Sequence, residues 1–387
     1  MPELPVLTTL ADGVPEVIDT QQGLSEAIEQ LATSRASVAV DTERAQGFRY
    51  GAEAWLVQIR RADVGTFLID SHALPKLAEL NAVLDAPWIF HAAGQDLPSL
   101  AELDLVPPAL FDTEVAARLT GVQHFSLQGV CEEVLGFSVE KAHQNENWSV
   151  RPLPLPWLRY AAMDVEVLPQ LETALTERLE ELGRLEWARQ EFDYELTHPI
   201  KSKAPRWENL KGIGKLRRPQ ELAIARELWT TREEIAVRTD VSPGRILNGR
   251  GILEAALRDP QNRRSLQQIE FFRRPQARRY LDEWWEAIRR AHSLLPEEMP
   301  HGLPAGEGIP PARLWKRLRP EAQDRLQQVR ALVERAAKPL DLAPEVVLLP
   351  ATQRLLAWEP LDDLEQRLIE GEARPWQREL ILAASKS

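Results

Sequence analysis

Short apolar runs recur through the first 185 residues, each bounded by polar or turn residues. SVAVDTE, AWLVQIRR, GTFLIDSH and WIFHA are rich in Val, Ile and Phe, which predicts strands. Between and after them, GLSEAIEQLATS, LPKLAELNAVLD, DLPSLAELDL, TEVAARLTG and SLQGVCEEVLG space their apolar residues three and four apart, which predicts helices. One longer helical run follows, PWLRYAAMDVEVLPQLETALTERLEELGRLEWARQEF. Short strands alternating with amphipathic helices predict an α/β domain with a mixed sheet over residues 1–195.

Beyond residue 200 the strand pattern nearly vanishes. RPQELAIARELWTTREEIAVRTD, ILEAALRD, RRSLQQIEFF and QARRYLDEWWEAIRRAHSLL have helical spacing and are separated by the turns VSPGR and RDPQN. LPEEMPHGLPAGEGIPP is a linker by its Pro and Gly content, and ARLWKRLRPEAQDRLQQVRALVERAAKPLDL opens a second helical array. The pattern predicts a basic linker at 196–213, a helical domain at 214–295, a Pro/Gly linker at 296–311 and a related helical domain at 312–387.

Charge is divided unevenly along the chain. Residues 1–185 carry 12 Lys/Arg against 28 Asp/Glu, while the remainder carries 35 against 31. Lys201, Lys203, Arg206, Lys211, Lys215, Arg217 and Arg218 face only Glu208 in the stretch 201–218. An acidic half joined to a basic half suggests two jobs rather than one, with a solubilising linker the plainer alternative for the basic run. The single Cys131 excludes an internal disulfide, and the N-terminus MPELPVLTTLADG lacks the pattern of a secretory signal. No run reaches the roughly 18 apolar residues that a membrane span needs. A reducing, cytoplasmic setting is expected. With one Cys and scattered His, any bound metal is expected to be held by oxygen.

The candidate chemistry starts at VAVDTER. Side chains alternate along a strand, so Asp41 and Glu43 share one face with Thr42 opposite. Two carboxylates held that close raise each other's pKa unless a cation joins them. Taken singly, each acidic signal has a plain reading. Asp-x-Glu fits a solvated strand end, Asp96 fits a helix N-cap in AGQDLPSLAEL, and Tyr160 and Asp164 stand four apart as many pairs do by chance.

Their order is more specific. Asp41-x-Glu43 at a strand end, Asp96 at a strand-to-helix junction and Tyr160-x-x-x-Asp164 on a helix resemble the DEDD exonucleases of the Tyr-containing subgroup. KAHQNENWSVRPLPLPWLRYAAMDV resembles the Lys…Trp…Arg-Pro-Leu…Tyr-Ala-Ala-x-Asp block of the RNase D family, and FDTEVAARLTG resembles its segment in which an aspartate, here Asp112, supports the fold. The helical array after residue 214 resembles the HRDC domain, with 312–387 as a weaker second copy. The residue after Asp-x-Glu is commonly apolar in this family, whereas here it is Arg44, which could point to solvent or reach a substrate phosphate.

The resemblance implies an RNase H-like exonuclease domain followed by two all-α HRDC-type domains. It implies a 3′→5′ exoribonuclease that releases nucleoside 5′-monophosphates from RNA 3′ ends, tRNA precursors among them. Asp41, Glu43, Asp96 and Asp164 would hold two divalent ions, Mg²⁺ or Mn²⁺, with Asp41 bridging them and Tyr160 orienting the attacking water. Two such ions about 3.5–4 Å apart clamp the attacking and leaving oxygens, and they offset the mutual repulsion of the acids. Lys141, Trp148, Arg151 and His91 are candidate substrate contacts, with core packing the competing reading for Trp148 and a structural role for His91 and His143. Trp284 and Trp285 read as helical core. A DNA 3′→5′ exonuclease with the same site, or an inactive nucleic-acid-binding protein, are the alternatives, since nothing in these residues recognises a 2′-hydroxyl.

Overall fold

The computed structural model describes residues 4–140, 142–199, 204–302, 309–360 and 363–386. The strands are β1 (Val6–Leu7), β2 (Val17–Ile18), β3 (Val38–Arg44), β4 (Ala54–Arg61), β5 (Gly65–Ile69), β6 (Trp88–Phe90), β7 (Leu110–Asp112) and β8 (Ser138–Val139). β1 and β8 pair separately, and the others form one sheet in the order β2-β5-β4-β3-β6-β7. β4 runs antiparallel to β3 and β5, while the β2–β5, β3–β6 and β6–β7 pairs are parallel. A mixed sheet with one reversed strand and the Asp-x-Glu strand at its centre is the RNase H-like layout that the resemblance implies.

Local chemistry explains where the elements depart from the sequence pattern. The long helical run is three helices, Leu155–Glu166, Leu168–Glu181 and Leu185–Thr197. Pro169 sits in the first turn of the second, and Gly183 takes φ +65° between the second and third. LPKLAELNAVLD forms only a 3-10 turn at Ala78–Ala82, and the Leu77 N–H at its start bonds to the Leu103 carbonyl. β7 is three residues long and lies inside the segment read as the approach to a helix.

Three clusters of buried apolar residues follow one another along the chain. The first fills the sheet domain, the second joins helices Pro219–Thr239, Gly249–Arg258 and Leu281–Ser293, and the third joins Pro320–Ala337, Pro350–Trp358 and Pro375–Ser385. Trp284 is fully buried in the second cluster and Trp285 packs against it. The stretch expected as a basic linker is partly core: Ile213 is buried there, with Trp207 and Leu210 packed against it. Its Lys201 and Lys203 lie outside the described residues. No helix among the described residues is long and apolar enough to cross a membrane.

Both helical units dock on the sheet domain near functional segments. The loop after β3 meets the first unit: Arg49 pairs with Asp240 at 3.0 Å, Arg245 donates to the Gly47 carbonyl at 2.6 Å, and the Ser242 N–H bonds to the Phe48 carbonyl. The helix Leu185–Thr197 meets the last unit. Trp376 stacks on Trp187 at 4.9 Å and Arg374 pairs with Glu191 at 2.8 Å.

Candidate active site

β6 pairs with β3 only through Val38 and Ala39, so beyond Ala39 the ladder of β3 continues on the β4 side. Asp41 opposes Gln58 and Glu43 opposes Leu56, and the register slips between Glu43 and Arg44. The helix Leu155–Glu166 packs across β3, β4 and β5 with Ala161, Ala162, Met163 and Val165 buried. Small Ala residues let it approach closely, and one turn of helix separates Tyr160 from Asp164. As a result, carboxylate oxygens of Asp41, Glu43 and Asp164 lie within 4.8 Å of one another. Tyr160 and Asp164 line the same cleft, and the phenol lowers the Asp164 pKa against the effect of burial.

Such a cluster is electrostatically costly without a cation. Burial, then the charges of Asp96 and Asp164, raise the Asp41 pKa well above the usual carboxylate range. Burial, then Asp41, does the same to Glu43. Asp164 is pushed up to about 7, chiefly by burial. Burial and the neighbouring carboxylates also raise Tyr160, so its phenol keeps its proton. Three oxygen donors converging in one cleft suit a hard divalent ion such as Mg²⁺ or Mn²⁺, which takes carboxylates and water. Among the described residues no other set of three acid, thiol or imidazole donors gathers this way.

Asp96 stands apart from that triad but close to it. It precedes the helix Leu97–Glu102, yet its side chain makes no capping bond. Instead, its Oδ1 accepts from the Thr42 hydroxyl at 2.5 Å and from the Arg44 guanidinium at 3.0 Å. Arg44 also donates to the Gln95 carbonyl. Arg44 therefore points neither to solvent nor toward an open phosphate site: it holds Asp96. Burial raises Asp96 to about 6 against the opposing pull of Arg44. Asp112, the N-cap of helix Thr113–Leu119, also accepts from the Ala92 and Ala93 N–H groups and so pins the turn that leads to Asp96.

The substrate candidates are corrected in two places. Trp148 is fully buried, with its ring 5.4 Å from Trp157 and 6.5 Å from Tyr160. No base can stack on it, and it backs the Tyr160 ring instead. Arg151 is spent on Asp70, with Nη2 to Oδ1 at 2.8 Å, and on the carbonyls of Trp55, Trp148 and Val150. It clamps a loop rather than facing a phosphate. Lys141 lies outside the described residues. His91 does line the cleft, with its Nδ1 2.9 Å from the Thr113 hydroxyl, and burial lowers its pKa. His143 has its ring 6.1 Å from that of Tyr160.

The cleft of about 430 Å³ beside the acids is lined by Asp41, Tyr160 and Asp164 together with His91, Gln95 and Phe125. Gln95 and Phe125 carried no sequence signal, being a lone amide and a lone aromatic between elements. Arg44 carried one, as the departure after Asp-x-Glu.

Three family models match the chain, and the last stretch, expected as a second HRDC copy, matches a different one. Residues 15–180 match the 3′-5′ exonuclease family, 221–288 the HRDC domain, and 308–385 the 3′ to 5′ exonuclease C-terminal domain. Ribonuclease D of Gluconacetobacter diazotrophicus is 30% identical over 374 residues, spanning 94% of this chain and 90% of that protein. Ribonuclease D of Pseudomonas paraeruginosa is 31% identical, spanning 80% and 81%. A crystal structure of a protein from Bifidobacterium adolescentis superposes with TM-score 0.90 at 37% identity, covering 99% of this chain and 98% of that one. Escherichia coli RNase D, described as an exoribonuclease involved in structured RNA processing, shares the fold at TM-score 0.66 and 20% identity, covering 95% and 96%. With full-length relatives of this identity and an exonuclease fold, the chain belongs to the ribonuclease D family and is a 3′→5′ exoribonuclease.

Proposed function

We propose that the enzyme trims the 3′ ends of structured RNA precursors such as tRNA, releasing nucleoside 5′-monophosphates by two-cation hydrolysis. Asp41, Glu43, Asp96 and Asp164 would hold two divalent cations, Mg²⁺ or Mn²⁺. The observation that carries this reading is the convergence of three carboxylates from β3 and one helix within 4.8 Å, with the Tyr160 phenol on the same cleft. When bound, the cations supply Lewis acidity and make water a competent nucleophile near neutral pH. The chain's own residues do the rest. Tyr160, held protonated, orients the attacking water by hydrogen bonding and leaves it its base-free route. Arg44 and Thr42 set the Asp96 carboxylate before substrate arrives. Phe125 and His91, on the cleft wall, offer the flat surfaces against which a terminal base can rest.

Incubating the protein with a 3′-extended tRNA, with and without EDTA, and sizing the products tests the reading. Stepwise shortening to mononucleotides that EDTA stops is expected. Faster degradation of single-stranded DNA than of matched RNA would end the RNA-precursor proposal. Tyr160→Phe should lower kcat about 10²-fold, the usual scale for losing one positioned proton-handling group, with KM for RNA nearly unchanged in single-turnover and steady-state assays.

The HRDC unit is proposed to hold the RNA body. Lys211, Lys215 and Arg250 line a groove of about 790 Å³ with Gly212 and Gly249, and none of the three has an ion-pair partner among the described residues. Neutralising all three to Ala should flatten the slope of log affinity against log salt by about 2, at ~0.7 per phosphate contact on a single strand. An unchanged slope in filter binding would remove this groove from the RNA path.

A further inference from the structure

The turn that delivers Asp96 is held by its backbone, and one of its holders lies outside the residues matched to the exonuclease family. Ala92 adopts the left-handed conformation at φ +67°, an unfavourable place for a residue with a Cβ. Three successive N–H groups then point to two carboxyls. Those of Ala92 and Ala93 reach Asp112 at 3.1 and 2.6 Å, and that of Gly94 reaches Oε1 of Glu195 at 2.9 Å. Glu195 comes from the helix Leu185–Thr197, beyond the matched stretch 15–180.

The Glu195 Oε2 atom is shut off from solvent and has no hydrogen-bond partner among the described residues, and the nearby Asp112 carboxyl disfavours a second charge there. Asp112 already accepts four backbone N–H groups, those of Ala92, Ala93, Glu114 and Val115, and these favour its ionised form. Burial and then Asp112 push the Glu195 pKa up to about 8, while its Oε1 accepts from the Gly94 N–H at 2.9 Å. Its helix is in turn anchored by the last helical unit: Glu191 takes Arg374 and the Trp376 indole N–H, each at 2.8 Å, and the Tyr194 hydroxyl donates to Glu372 at 2.6 Å.

We propose that Glu195 is a positioning residue of the hydrolytic site, whose bond to the Gly94 N–H locks the 92–95 turn and thereby the placement of the Asp96 carboxylate. The proposal rests on the reading above in taking Asp96 as a cation ligand. Glu195→Gln keeps an oxygen for the Gly94 N–H without the charge. Glu195→Met keeps the volume and loses that bond.

The test measures Mn²⁺ binding by calorimetry and RNA hydrolysis in both variants of the full chain. Glu195→Met is expected to weaken Mn²⁺ binding about 10-fold and lower kcat about 10–100-fold, the scale of changes one step removed from a metal, while RNA affinity holds. Glu195→Gln is expected to stay close to the parent in both. A Met variant with parental Mn²⁺ affinity and kcat overturns the proposal, and so does a Gln variant that fails as the Met variant does. Should the Met protein not fold by near-UV circular dichroism, Glu195→Asp takes its place: one methylene shorter, it cannot reach the Gly94 N–H and must show the same weakening. If the parent itself shows no cation-dependent hydrolysis, the functional reading fails, while the calorimetric comparison still judges the role of Glu195.

Discussion

Asp41→Asn is expected to reduce hydrolysis by at least about 10³-fold in kcat while RNA binding survives, a larger loss than the ~10–100-fold seen when a group behind a ligand is removed. The Asp41 charge meets both Asp96 and Asp164, so its loss strikes the site from both sides. The same change should make the cation-free protein more stable. The folded state holds Asp41 buried among like charges, and the neutral amide ends that repulsion while keeping the shape. Hydrolysis, RNA gel shift and thermal melting in EDTA report the three outcomes together. An Asn variant that melts lower than the parent in EDTA would make Asp41 a structural acid and undo the assignment.

Cation-free stability should fall as pH rises from about 4 through about 7, and a divalent cation should reverse much of that fall. The unfolded carboxylates titrate near 4. Burial holds Asp164 up to about 7 and Asp96 up to about 6, with Asp41 and Glu43 also raised. Across that window the folded protein binds more protons than the unfolded chain, so the slope of unfolding free energy against pH is negative. Each tenfold difference in proton affinity is worth about 1.4 kcal/mol, which makes the cluster a leading source of acid–base sensitivity. A cation replaces the protons, so its affinity should climb over the same window. Urea denaturation at pH 5 and pH 8, with EDTA or with Mn²⁺, measures both. Identical curves with and without Mn²⁺ at pH 8 would mean that no cation is held there.

Much of the fold was legible because its signals are local. The run VAVDTER announces a strand through β-branched and apolar residues, and its alternation sets Asp41 and Glu43 two apart on β3. The helix Leu155–Glu166 announces itself by spacing, and that spacing alone separates Tyr160 from Asp164 by one turn. What was not legible depends on partners distant in sequence. Trp148 sits in a polar loop of the sequence and yet is fully buried, because the rings of Trp157 and Tyr160 close over it. Arg151 looked like a phosphate ligand until Asp70, eighty-one residues away, took it.

By itself, then, the chain's sequence determined the kinds of element, the alternation of helix and strand in its first half, the helical second half, and the spacing of each acidic pair. These follow from backbone periodicity, which needs only neighbouring residues. The tertiary structure decided which acids meet, that Arg44 turns inward to Asp96, and that a helix outside the matched exonuclease stretch braces the turn carrying it. Those outcomes come from packing a helix across a sheet and closing loops over its end, where side chains more than fifty residues apart compete for the same buried space and the same hydrogen bonds.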